Sequence, residues 1–218
     1  MSSQAPTFRQ KIFRIAFTCA CLAMTTGPTT ADEPEKPERP TIAAEERQRQ
    51  IPDIDGNLIA PLAPTAGHYS ILIFTATECP IANAFSPEVS RIAAEFAAKN
   101  FSVFLVYTDP ELDSDAIRTH LSEYSLKPVT AILDTGQVLV RATGATHTPE
   151  ASIIDSEGKQ LYRGRINNRY AALGKARHVI TKHDLRSAID AIVLGTPVKT
   201  PRTEVIGCYI PTPRPGQK

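Results

Sequence analysis

The sequence predicts an α/β domain with a central mixed β-sheet flanked by helices, and three observations carry that prediction. Two short apolar runs, residues 70–76 (SILIFTA) and 101–108 (FSVFLVYT), have the length and composition of buried strands. Between them, residues 82–100 place Phe85, Val89, Ile92, Phe96 and Ala97 at helical spacing. Further on, residues 151–155, the turn at Glu157-Gly158 and residues 160–166 have the pattern of a β-hairpin, followed by an amphipathic stretch over 184–194. Strands that alternate with helices imply parallel pairing through right-handed crossovers. The hairpin adds antiparallel strands, so the sheet is mixed.

The elements follow in chain order. Arg9, Lys11 and Arg14 precede a short apolar run over residues 15–24, and no acidic residue occurs before Asp32. Small residues then lead to Ala31. This order predicts a secretory signal peptide over residues 1–31, cleaved after Ala31, and export to the periplasm or another extracytoplasmic compartment. The apolar run is shorter than the roughly 20 residues of a membrane helix, so no stable span is expected in the mature chain. Cleavage removes Cys19, Cys21 and three cationic side chains, which leaves 21 Lys+Arg against 23 Asp+Glu. Residues 32–50 are rich in charge and proline and predict a disordered linker. Residues 51–195 form the expected domain. It opens with a short hairpin or extended entry over 51–67 and continues with the strand at 70–76, the helix at 82–100 and the strand at 101–108. A helix over 113–124 turns Ile117 and Leu121 inward, and a strand covers 129–133. After a short connector come the hairpin and a closing helix over 184–194, stopped by Gly195. Residues 196–218 hold five prolines and predict an extended tail carrying Cys208.

Composition narrows the chemistry. With 24 basic and 23 acidic residues and no Lys/Arg block, nothing tracks a phosphate backbone, so nucleic acid is not an expected partner. Four cysteines fit no zinc spacing, and no metal or cofactor is expected. Cys79 follows the first body strand by three residues and precedes a helix. Unpaired N–H groups and the helix dipole there favour the thiolate, the reactive form of cysteine. Open α/β sheets also place their sites at the carboxyl ends of strands. The competing reading is a buried, inert thiol. Thr148-Pro149 enters the hairpin strand. It either marks a strand edge or forms a cis peptide that brings backbone beside the thiol. Glu78 and His147 are each either site residues or ordinary surface groups. Arg163 and Arg165 belong either to a solvated strand face or to a thiolate-stabilising charge.

Four segments resemble a known family: FTATECPIANAFSPE (74–88), GATHTPEASIID (144–155), LYRGRIN (161–167) and TEVIGCYI (203–210). In their order and spacing they are similar to the thioredoxin-like redoxins, in the branch of thiol-specific antioxidant proteins and periplasmic thiol–disulfide oxidoreductases. The resemblance implies a thioredoxin fold, Cys79 as nucleophile and Pro149 as a cis-proline. It implies protein thiols or disulfides, or a peroxide, as partners, with an external thiol reductant. The departures are specific. Ala82 stands where a C-x-x-C motif has its second cysteine, and Ala76 stands where a peroxiredoxin carries threonine. Asn83 stands where the copper chaperones of this fold carry cysteine. Cys208 offers a substitute resolving thiol. A Cys79–Cys208 bridge that cycles, a permanent staple and no bridge at all are all compatible with the sequence. Three classes of function stay open: a thiol–disulfide oxidoreductase, a thiol peroxidase, and a non-catalytic binding module with a structural disulfide.

Overall fold

The computed structural model describes residues 40–211; the signal peptide expected over 1–31 and the last seven residues lie outside the described residues. The chain begins with a one-turn helix α1 (Ala44–Arg47) and a small hairpin, β1 (Ile51–Pro52) and β2 (Leu58–Ile59). The body then runs β3 (Tyr69–Thr75), α2 (Pro80–Phe96), β4 (Phe101–Tyr107), α3 (Ser114–Glu123), β5 (Thr130–Leu133) and α4 (Val138–Thr143). It continues through β6 (His147–Thr148), β7 (Glu150–Ile154) and β8 (Gln160–Gly164). A second small hairpin, β9 (Tyr170–Ala172) and β10 (Lys175–Ala176), precedes α5 (Asp184–Val193), and the tail ends in β11 (Cys208–Tyr209). The main sheet has the order β5-β4-β3-β7-β8. β3 pairs parallel with β4 and β4 with β5, while β7 lies antiparallel to both β3 and β8. The mixed sheet expected from the sequence is therefore present.

Central strand β3 is buried on both faces, as an unbroken apolar run requires. Its side chains alternate between faces. Ile71 and Ile73 join Phe85, Val89, Ile92 and Phe96 of α2 and Leu185 and Ile189 of α5. Leu72 and Phe74 face the other way, toward Leu139 and Val140 of α4 and Ile42 and Ile51 of the entry segment. Each fully buried Ile or Phe contributes about 1.5–3 kcal/mol relative to exposure, so these two clusters fix β3 between two layers.

Two elements differ from the sequence expectation. Of the linker expected over 32–50, residues 32–39 lie outside the described residues and residues 40–50 are seated on the domain. Ile42 is buried, its N–H donates to the Gly158 carbonyl at 2.9 Å, and the Pro40 carbonyl accepts from the Gln160 N–H at 3.1 Å. One apolar side chain and the unpaired backbone of the β7–β8 hairpin are enough to seat it. The connector after β5 contains α4, whose Val-Leu-Val start reads locally as strand. Asp134 starts this helix: its two carboxylate oxygens accept from the N–H groups of Val138, Leu139 and Val140 at 2.7, 2.8 and 3.2 Å. A carboxylate three residues before the N-cap Gln137 thus supplies the cap that Gln137 itself does not.

Candidate functional site

Cys79 is the N-cap residue of α2, at the carboxyl end of β3. Pro80 follows at the first helical position, where its missing N–H costs nothing. The Cys79 sulfur accepts from the Ala82 N–H at 3.4 Å, so the thiol itself caps the helix. The facing wall is the loop ending in the cis peptide Thr148-Pro149, and the Thr148 carbonyl oxygen lies 3.2 Å from the Cys79 sulfur. Pro149 lies at the turn from β6 into β7.

The tail completes the site. Its first anchor is the outer edge of β8. The Arg163 N–H donates to the Pro201 carbonyl at 2.9 Å, and the Thr203 N–H donates to the Arg163 carbonyl at 3.1 Å. Gly164 allows this approach, because a Cβ there would meet Thr203 Oγ1 at 2.1 Å. The chain then crosses to β6, where β11 pairs antiparallel with Cys208 opposite Thr148 and Tyr209 opposite His147. The Ile210 N–H donates to the Thr146 carbonyl at 2.9 Å, and Gln137 Nε2 donates to the Pro211 carbonyl at 2.6 Å. A Cβ on Gly207 would meet the Thr148 carbonyl oxygen at 2.2 Å, so only glycine lets the tail settle this close. The result is a 2.8 Å separation between the sulfur atoms of Cys79 and Cys208, both free thiols.

The two thiols are electrostatically unequal. Burial works to raise the Cys79 pKa. The Cys208 thiol, the Thr148 side chain and the N–H groups of Ala82 and Cys208 outweigh it and hold the value below that of an ordinary thiol. Burial and the neighbouring Cys79 charge push Cys208 up to about 11. Of the two, Cys79 is therefore the more acidic thiol and Cys208 the one that keeps its proton longer. Only 2 % of Cys79 is exposed. It lies at the floor of a cleft of about 770 Å³ whose walls include Glu78, Gln137, Thr148, Cys208 and Tyr209.

The remaining candidates fall into other roles. Arg163 and Arg165 are neither a solvated face nor thiolate partners. Arg163 Nε donates to Glu150 Oε1 at 2.6 Å, and Arg165 Nε donates to Asp184 Oδ2 at 2.7 Å. Glu150 is buried, and its other oxygen accepts from the Thr146 and His147 N–H groups at 2.7 and 3.1 Å. Arg163 thus acts one step back, through a carboxylate that holds the loop carrying Thr148. His147, on β6, packs against Tyr209 of the tail strand, with ring centroids 4.4 Å apart and the rings tilted by 39°. Glu78 is exposed at the rim of the cleft. Asn167 and Asn168 are loop braces. Asn168 Oδ1 accepts from the N–H groups of Thr181 and Lys182, both at 3.0 Å, and Asn167 Oδ1 accepts from the Arg169 N–H at 2.9 Å. Thr148 was not legible as a site residue, since a threonine before proline is an ordinary strand entry. Its buried hydroxyl has no partner of ordinary hydrogen-bond geometry and acts on the Cys79 sulfur.

Comparison with known proteins places this geometry. The AhpC/TSA family matches residues 47–162, more than half of the chain. The matched span includes Cys79 and Pro149 and stops short of Cys208. No curated protein matches. Among solved structures, an uncharacterized conserved protein from Geobacillus kaustophilus is similar at 22% identity with a TM-score of 0.68, over 83% of this chain and 96% of that one. A secreted disulfide oxidoreductase from Mycobacterium tuberculosis, homologous to E. coli DsbE, is similar at 19% identity with a TM-score of 0.51, over 68% and 99%. A thioredoxin-like protein from Aeropyrum pernix is similar at 20% identity with a TM-score of 0.50, over 67% and 91%. These likenesses are of fold, and the fold is thioredoxin-like.

Proposed function

The chain belongs to the AhpC/TSA family, and from that premise we propose that it is an exported thiol–disulfide oxidoreductase with Cys79 as nucleophile and Cys208 as resolving thiol. The observation that carries this reading is the seat of β11 on β6, which sets the two sulfurs 2.8 Å apart, with Cys79 the more acidic of the two. The Cys79 thiolate attacks one sulfur of a substrate disulfide. A mixed disulfide forms, and the other substrate sulfur leaves as thiolate, taking the proton from Cys208. The Cys208 thiolate then attacks the Cys79 sulfur, the Cys79–Cys208 bond forms and the second substrate thiolate departs. The substrate gains two electrons, one proton from Cys208 and a second from solvent at the last thiolate released, and the protein holds the disulfide until an external dithiol reduces it. The same steps run backward oxidise a substrate dithiol. With the tail seated Cys79 is shielded, so a polypeptide disulfide reaches it only when residues 204–211 lift from β6. The basic, apolar and small-residue order of the first 31 residues supports export.

A second reading has its own observation. The buried sulfur opens to a cleft that admits a molecule of peroxide size without movement of the tail. Cys79 would then become a sulfenic acid as the peroxide oxygen leaves as alcohol or water, and the Cys208 thiol would displace water to form the same disulfide. Glutathione disulfide and hydrogen peroxide, each offered to the reduced protein and followed by mass, separate the readings. Under the first, glutathione disulfide yields a Cys79–Cys208 bridge, and Cys208→Ser halts the reaction at glutathionylated Cys79. Fast reaction with peroxide alone selects the second. Two thiols that stay intact against both would leave a non-catalytic module and overturn the proposal.

A further inference from the structure

We infer that Asn83 and His120 are positioning residues for Cys79, clamping from behind the loop that presents its sulfur to the Ala82 N–H and the Cys208 thiol. The inference rests on the reading of Cys79 as a reactive thiol. Asn83 sits in the first turns of α2 and grips both sides of the cysteine. Its backbone N–H donates to the Cys79 carbonyl at 2.9 Å, and its side-chain Nδ2 donates to the Thr77 carbonyl at 2.7 Å. A carbonyl can only accept, so Nδ2 must face Thr77, which turns Oδ1 toward His120 Nε2 at 2.9 Å. Nε2 therefore carries the imidazole proton. The other ring nitrogen, Nδ1, accepts from the Tyr107 hydroxyl at 2.9 Å.

The direction of every bond in this chain follows from that one constraint. The Tyr107 hydroxyl donates to His120, His120 to Asn83, and Asn83 to the Thr77 carbonyl. Tyr107 is fully buried at the end of β4, and its ring meets His120 edge-on at 5.7 Å. His120 is 5 % exposed on α3, and Tyr124 closes its other side with ring centroids 4.7 Å apart. Burial holds the imidazole below the ordinary histidine value against the opposing charges of Glu123 and Glu78, so it stays neutral with one bare nitrogen. Burial likewise keeps the Tyr107 phenol protonated as a donor. Strand β4 and helix α3 are thereby tied to the Thr77 carbonyl, two residues before the site cysteine. None of these groups touches the sulfur; they fix where it stands.

The test is the rate of Cys79 alkylation by iodoacetamide in the reduced full-length protein, read by peptide mass across pH. Asn83→Ala and His120→Leu should slow alkylation at pH 7 about five- to tenfold and restore the parent rate near pH 10, because a displaced sulfur loses donors that favour its thiolate. His120→Gln keeps an N–H aimed at Asn83 and should retain most of the parent rate at pH 7. Ile189→Ala, in the α5 core, controls for stability and should lower Tm without moving the pH profile. If Asn83→Ala does not fold, the His120 pair decides alone. A parent profile no lower than that of an ordinary thiol would remove the reactive-thiol reading and this inference with it. A depressed parent profile unchanged in Asn83→Ala and His120→Leu would overturn the clamp alone.

Discussion

At the scale of single residues, a shared proton separates the roles of the two sulfurs. Cys79 accepts hydrogen bonds at the N-terminus of α2, while Cys208 donates one to it and is held protonated by the resulting charge. The expected outcome is a split in alkylation. In the reduced protein Cys79 should react at pH values below those of a free thiol. Cys208 should react slowly until pH approaches about 11. The order follows from the signs: an acid whose pKa is lowered ionises first, and one whose pKa is raised ionises last. Site-resolved alkylation checks this, and equal profiles for the two cysteines would contradict it. The Thr148 side chain adds to the lowering, whereas its carbonyl oxygen, 3.2 Å away, accepts from the Cys79 thiol and opposes it.

At the scale of elements, strand β11 is the decisive piece, and Gly207 is the residue that permits it. A methyl group at position 207 would collide with the Thr148 carbonyl, a backbone atom that the buried Glu150 side of the loop holds in place. Gly207→Ala should therefore lift Cys208 from β6. The expected outcome is at least tenfold slower formation of the internal bridge together with faster capture of Cys79 by glutathione disulfide, both followed by mass after quenching. Much of this element was legible beforehand. Prolines at 197 and 201 keep the tail extended, Val205 and Ile206 give it apolar anchors, and glycine precedes the thiol. The β3–Cys79–α2 unit and Pro149 were legible for the same reason, since local spacing encodes local geometry. Elements set by distant partners were not. Residues 40–50 depend on the β7–β8 turn, while α4 was not legible although its cap, Asp134, stands only four residues before Val138. The Tyr107–His120–Asn83 chain joins three elements whose residues show no shared pattern in sequence.

At the scale of the whole molecule, the Cys79–Cys208 pair would close a loop of about 130 residues, nearly the entire domain. In the chain-entropy model such a closure stabilises by roughly 4–5 kcal/mol, so the oxidised form should also be the more stable one. Stability alone therefore does not tell a staple from a catalyst; the ease of reduction does. A structural bridge in an exported protein has a reduction potential below about −300 mV, whereas a working redox pair lies above it. The most direct measurement equilibrates the folded protein in glutathione or dithiothreitol buffers of graded potential and reads the bridged fraction by peptide mass. A single reversible two-electron transition above about −300 mV, lost in Cys208→Ser, is the expected result. A bridge that resists reduction below that potential, or a folded protein in which the two thiols never join, would contradict the cycle.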